Sequence, residues 1–179
     1  SATSLREDPG VTTDWERVYR AHYRDVVGFL SGMLLDHERA KDLAQEAFAR
    51  VLGREADNPR GLVFKTAANL ARDEARLVVR RKRHLKLLRV EEDVRSERTP
   101  SPSKELESKE RAEQVRAALE TLSETDRQVL VLWNAGFDSG EIAEQTGLSK
   151  GAIGTTLARA KKKLVSACDA QEDTDAAHG

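Results

Sequence analysis

The sequence predicts an all-α protein, two small helical domains joined by a flexible linker. Three observations carry this. Apolar residues recur at steps of three and four through most of the chain, the period of one helix face. No stretch alternates apolar and polar residues as a half-buried strand does. From Val90 to Ser108 the apolar period stops, and acids, serines and two prolines take over, the composition of a linker.

Trp15, Val18, Tyr19, His22, Val26, Phe29, Leu30 and Met33 form one face of a long first helix. Thr13 or Asp14 is its expected cap, because a short side-chain oxygen can accept from the free N–H groups of a first turn. Ala40, Leu43, Ala44, Ala47, Phe48 and Val51 mark a second amphipathic helix. The run READNPRG ends it, and Asn58 followed by Pro59 predicts an N-cap with proline at the first helical position. A third helix starts there and runs to about Leu88. Beyond the linker the helical period resumes near Lys104, through Leu106, Ala112, Val115, Ala118, Leu119 and Leu122. Three short helices follow, at 124–134, 139–146 and 150–167. Ser123, Ser139 and Ser149 stand at their N-cap positions, and Gly136 and Gly147 suit helix ends. The polar tail DAQEDTDAAHG reads as disordered.

Composition excludes several classes of function. Charged residues make up 34% and aromatics 4% of the chain, which suits thin helical cores better than a large pocket-bearing enzyme. His22, His37, His84 and His178 are scattered and Cys168 is the one cysteine, so no metal-ligand spacing and no internal disulfide is expected. No glycine-rich phosphate loop occurs. The expectation is a binding protein, not an enzyme, with no cofactor and no metal. No apolar run nears the roughly 20 residues of a membrane span, and the opening SATSLREDPG is not a signal-peptide pattern, so no membrane insertion and a cytoplasmic location are expected.

Charge is uneven although the net is −1. Residues 58–90 hold ten basic and two acidic side chains, residues 91–126 six and eleven, and residues 145–168 five cations and no acid. Two cationic islands around an acidic stretch suggest a polyanion touched at two places. In the first island Lys65, Asn69, Arg72, Arg76, Arg80 and Arg83 fall within about 80° of one another on an ideal helix, with Val63, Ala67, Leu70, Ala71, Leu77 and Val78 opposite. Guanidinium groups at fixed spacing match a nucleic-acid backbone, and the amide can hydrogen-bond a base or phosphate. The alternative is a solvated face, which normally mixes acids with bases. Glu74 falls in the middle of the apolar side, where a buried pair would account for it.

The second island lies in SGEIAEQTGLSKGAIGTTLARA, which has the form of a helix-turn-helix. Ile142 and Ala143 pack the first helix, Gly147 permits the turn, and Leu148 plugs the core beneath it. Ile153, Leu157, Ala160 and Leu164 would bury the second helix. Its opposite face holds Gly151, Thr155, Ala158, Arg159 and Lys162, small, hydroxylic and basic residues that suit a DNA groove. A generic helical bundle with a cationic surface is the alternative.

With these motifs the chain resembles the extracytoplasmic-function (ECF) sigma factors of bacterial RNA polymerase. DLAQEAFARVL (42–52) is similar to the family's polymerase-binding segment, NPRGLVFKTAANLARDEARLVVRRKR (58–83) to its −10 recognition and melting segment, and LSETDRQVLVLWNAGFDSGEIAEQTGLSKGAIGTTLARAKKKL (122–164) to its −35-binding domain. The resemblance implies a region 2-like domain at 13–90, a linker at 91–108, a region 4-like helix-turn-helix domain at 109–168 and a disordered tail at 169–179. It implies that Asp42, Gln45 and Glu46 dock on the polymerase, with Phe48 in the core. Asp57 and Asn58 would capture a flipped −10 base, and Lys65, Asn69, Arg72, Arg76, Arg80, Arg81 and Arg83 would lie along the non-template strand. Lys150, Gly151, Thr155, Arg159 and Lys162 would meet the −35 element. The implied partners are core RNA polymerase, promoter DNA and an anti-sigma factor or other activating partner.

The chain departs from the family at Arg39 and Lys41, where acids are frequent, at Leu62, where tryptophan is frequent, and at Gly154 and Thr156, where cations are frequent. These departures imply that the polymerase contact or the −35 contact needs a partner or a modification. Two rival readings stand beside the sigma factor: an autonomous helix-turn-helix transcription regulator, and a helical adaptor whose cationic faces bind acidic proteins.

Overall fold

A computed structural model describes residues 12–87 and 103–177. Among them every regular element is a helix. α1 (Trp15–Leu34) is capped by Asp14, whose carboxylate accepts from Arg17 N. Thr13 serves elsewhere: its hydroxyl accepts from Ala56 N at 3.0 Å and ties the loop after the second helix to the start of the first. At the corner after α1 Leu35 takes a left-handed backbone, φ 58°, and α2 (His37–Val51) starts on its own cap, Asp36. α3 (Pro59–Leu87) begins at the expected proline. Asn58 Oδ1 accepts from Gly61 N at 3.0 Å, and its carbonyl accepts from Leu62 N.

These three helices pack on one another. Val26 and Leu30 of α1, Ala40, Ala44, Ala47 and Val51 of α2, and Val63, Phe64 and Ala67 of α3 are fully buried. The alanines allow the helices to approach closely around a few large side chains. α3 has 29 residues against 20 in α1 and 15 in α2, roughly 43 Å against 30 and 22 Å. It therefore overhangs the bundle, and Leu77 and Val78, expected on the core side, are 41% and 40% exposed.

The second half comprises α4 (Ser103–Glu120), α5 (Glu124–Asn134), α6 (Ser139–Thr146) and α7 (Lys150–Ala177). The stretch read as linker, 91–108, lies outside the described residues as far as 102. From Ser103 it is helix, started after Pro102 and rich in Lys, Glu and Leu, which favour helix. Ser123 caps α5 as expected, accepting from Asp126 N. α6 is capped by Asp138 rather than Ser139. Asp138 and Glu141 each accept from the other's backbone N–H, a reciprocal box that a serine one position later could not make. Gly136 and Gly147 take φ 89° and 75°, the left-handed region where a side chain is strained. α7 runs ten residues past the expected 167, to Ala177. The tail read as disordered contains Ala, Gln and Glu and no breaker before Gly179, so the helix propagates through it.

One core joins the halves. Val129, Leu132, Phe137, Ile142 and Ile153 belong to the same buried cluster as the α1–α3 residues. Leu122, Leu130 and Ala160 form a second, smaller cluster between α5 and α7. Val115, expected in the core, is exposed. Phe64 is the hinge of the shared cluster: its ring meets Phe29 edge-on at 5.5 Å and Phe137 edge-on at 4.8 Å. Phe64→Ala should cost about 3–5 kcal/mol of stability, read as a lower urea midpoint in an unfolding curve.

Candidate nucleic-acid interface

The roll of α3 about its axis decides which residues face out. With Val63, Phe64, Ala67, Ala68, Leu70 and Ala71 buried, Lys65, Asn69, Arg76, Arg80 and Arg83 stand exposed on the far side and Arg72 is half-buried. Arg81 is exposed too, but off the stripe. Arg76 has a distant exposed partner in Asp73, 3.8 Å away. Asp57 and Asn58 are exposed in the preceding loop. Asn58 spends its side-chain oxygen on the cap of α3, and a Cβ on Gly61 would collide with its amide.

Glu74, on the core side of the same helix, forms a cross-helix pair. Arg39 Nε and Nη2 donate to its two oxygens at 2.8 and 3.0 Å. The Arg39 hydrogen bonds hold the Glu74 carboxyl below its ordinary pKa, against the opposing effect of burial. Arg39 is thus a brace between α2 and α3, and Lys41 is neutralised by Glu38 at 2.8 Å. On the outward face of α2, Asp42 and Gln45 are exposed and half-buried Glu46 binds Arg50 at 2.6 Å. Phe48 is core, as expected. Beside it lies a feature the sequence reading missed: exposed Tyr19 stacks on Tyr23 at 4.7 Å and meets the Phe48 ring edge-on at 4.9 Å.

The second cationic surface is α7. Ile153 and Ala160 are buried, and Leu157 and Leu164 half-buried, as the period required. Lys150, Gly151, Thr155, Ala158 and Lys162 are exposed on the other side. Thr156 is buried, so its position faces the core and not a groove. Gly154 is exposed with open space around it. Arg159 is committed elsewhere. Its Nη2 and Nε donate to Asp126 at 2.6 and 3.3 Å, and Lys163 adds a longer bond at 3.4 Å. Asp126 is 1% exposed, and the Arg159 hydrogen bonds hold its pKa below the ordinary value despite burial. Lys161 lies over the Trp133 ring at 3.5 Å. Sequence reasoning did not single out Asp126; its position in the first turn of α5, with cations at 159 and 163 far along the chain, gives no local signal.

The α3 surface meets the opposite half of the molecule at two places. Asn58, Gly61, Leu62 and Lys65 form one wall of a cleft of about 530 Å³ whose other wall is Phe137, Glu141, Glu144 and Gln145. Arg72, Arg76, Arg80 and Arg83 line a second groove with Glu124. Among the described residues no cluster could hold a metal ion, and no helix is long and apolar enough to cross a membrane.

Two family models match the chain: sigma-70 region 2 over residues 18–82 and sigma-70 region 4 over residues 112–164. The chain is similar in structure to the sigma factor RpoE of Bartonella quintana, solved with the anti-sigma factor NepR, at 20% identity and a TM-score of 0.65, covering 87% of this chain and 97% of that one. It is similar also to CnrH, solved with the cytosolic domain of CnrY, at 20% identity and a TM-score of 0.61, covering 87% and 88%. No curated protein sequence matches.

The Asp126 hub has a pH signature. Its folded pKa is depressed, so the stability it contributes is present above the unfolded carboxylate value near 3.9 and is lost as pH falls through the folded pKa. Asp126→Asn should lower the melting temperature at pH 7, and the gap between variant and parent should close below about pH 4, as followed by circular dichroism.

Proposed function

The chain belongs to the sigma-70 family, with a region 2 followed by a region 4, and as such it directs RNA polymerase to promoters; we propose how its surfaces divide that task, and that it is of the extracytoplasmic-function type. The outward face of α2, with Asp42, Gln45 and Glu46, docks on the core enzyme. The α3 face with Lys65, Asn69, Arg72, Arg76, Arg80 and Arg83 holds the unpaired −10 strand, and Asp57 and Asn58 edge the pocket for a flipped base. Lys150, Gly151, Thr155 and Lys162 read the −35 element, while Arg159 sets the pitch of that helix through Asp126. The protein acts by binding, in the cytoplasm where polymerase works, and catalyses nothing itself.

The observation that carries this reading is the exposed cation stripe of α3, opposite a face committed to the core. Guanidinium groups one turn apart can each neutralise a phosphate. Two DNA contacts on one chain reinforce each other through effective concentration when their spacing matches the promoter. RpoE is held by the anti-sigma factor NepR in its structure, and an inhibitory partner of that kind is proposed here as well. An autonomous helix-turn-helix regulator would bind its promoter without core polymerase, which separates the two readings.

Replacing Arg76 and Arg80 together by alanine should abolish promoter opening in transcription with core polymerase while leaving polymerase binding intact. Loss of polymerase binding instead would make the stripe a protein interface. Lys162→Ala should weaken promoter binding and reduce the salt slope by about 0.9, the share of one phosphate contact on duplex DNA.

A further inference from the structure

We propose that Asp126 is a positioning residue for the DNA contact of α7: a buried acid that holds Arg159 and Lys163 side by side, so that their outward donors meet one backbone phosphate of the upstream promoter element. The inference rests on the sigma-factor reading and deepens it. It gives Arg159 and Lys163 a phosphate and leaves sequence readout to the start of the helix.

The burial of the three side chains is unequal. Asp126 is 1% exposed, while the side chains of Arg159 and Lys163 are 52% and 50% exposed. A partner that served the buried acid alone would be buried with it. The acid itself is fixed in place, since it stands in the first turn of α5 and its backbone N–H donates to the capping hydroxyl of Ser123 at 3.1 Å. Its Oδ1 accepts from Arg159 Nη2 at 2.6 Å, and its Oδ2 from Arg159 Nε at 3.3 Å and from Lys163 Nζ at 3.4 Å. One edge of the guanidinium is thus locked to α5, and half of the side chain stays open to solvent. Arg159 and Lys163 lie one turn apart on the same helix, a spacing at which two cations repel. The carboxylate between them offsets that repulsion and leaves the cluster with a cation in excess.

Position on α7 selects a phosphate rather than a base. Arg159 and Lys163 lie about 40° and 80° around an ideal helix from Thr155, on the flank between the exposed face and the core, and Arg159 is roughly 13 Å along the axis from Lys150. In a helix-turn-helix the N-terminal residues of the second helix reach the base edges. Cations on a flank further along meet the backbone, where contacts fix register and orientation. Long side chains lose rotamer freedom when they grip a ligand. Asp126 restrains two of them on folding, before DNA is present. Charge alone argues the other way: a carboxylate near a phosphate repels it, so its removal should tighten binding. The two effects have opposite signs.

The test uses the full chain with core polymerase and a promoter fragment selected with the parent chain, and follows the binding constant against salt concentration. Asp126→Asn should weaken promoter binding about tenfold although it removes a negative charge, and should lower the salt slope by about 0.9, the share of one phosphate. Added to Arg159→Ala with Lys163→Ala, Asp126→Asn should cost nothing further, because its effect passes through those two side chains. Equal or tighter binding by Asp126→Asn overturns the inference. So does weaker binding at an unchanged slope, since a loss of folded protein lowers affinity without changing the number of phosphates met. If circular dichroism shows that Asp126→Asn is unfolded, Arg159→Lys decides. It keeps the charge and loses the fork on Asp126, so it should lose affinity and slope, and binding equal to the parent's overturns the inference. A parent chain that directs no transcription with core polymerase removes the sigma-factor reading as well.

Discussion

Phe64 is pinned from two sides, by Phe29 of α1 and by Phe137 from the other half of the molecule, and the rest of the architecture follows from that restraint. A helix turns 100° per residue, so fixing one large side chain fixes the roll of α3. The same roll that seats Val63, Ala67 and Ala71 in the core turns Lys65, Asn69, Arg76 and Arg80 to the outside. A shift of one residue would put Lys65, Asn69 and Arg72 where Phe64, Ala68 and Ala71 now sit and turn Leu70 to water. The ring that closes the core on the second half is also the one on which Arg60 rests. Core packing and the seating of Arg60 at the start of α3 thus use the same ring.

Much of this was legible in the sequence, and the boundary is physical. The helical period placed the helices, because one face of each must be buried. Local caps were legible where one residue decides them, as at Ser123 and Asn58, and misread at Ser139, where Asp138 forms a better reciprocal pair with Glu141. Periodicity could not say where a helix outruns its neighbours, so Leu77 and Val78 were assigned to a core that stops short of them. Nor could it identify cations used internally. Arg39 and Glu74 are 35 residues apart, Arg159 and Asp126 are 33, and Arg60 and Ala135 are 75. Such pairs exist only once the helices have docked. At Arg39, where the chain departs from the family, the cation has a partner on α3, Glu74.

The acids of the second half have two roles. Glu141 completes the cap of α6, and with Glu144 it faces Lys65 across the cleft. Glu124 belongs to the first turn of α5, where a negative charge suits the helix dipole, and it lies against the arginine groove. Residues placed by helix chemistry thereby put negative charge beside the cations of α3. Their effect does not depend on salt links of ideal geometry, since a field from a few carboxylates at a groove mouth is enough to disfavour another anion.

The overhang of α3 has a thermal consequence. Its distal turns, with Val79, Arg80 and Arg83 exposed, extend past the bundle, and their order rests on intrinsic propensity, which is marginal for a few turns of helix in water. Warming would fray that end long before the bundle melts. On the proposed role of α3, the hold on a single strand would then weaken while the folded body stayed intact, and capture of the strand would carry the entropy of ordering a helix end: a built-in thermometer on the grip rather than on the fold.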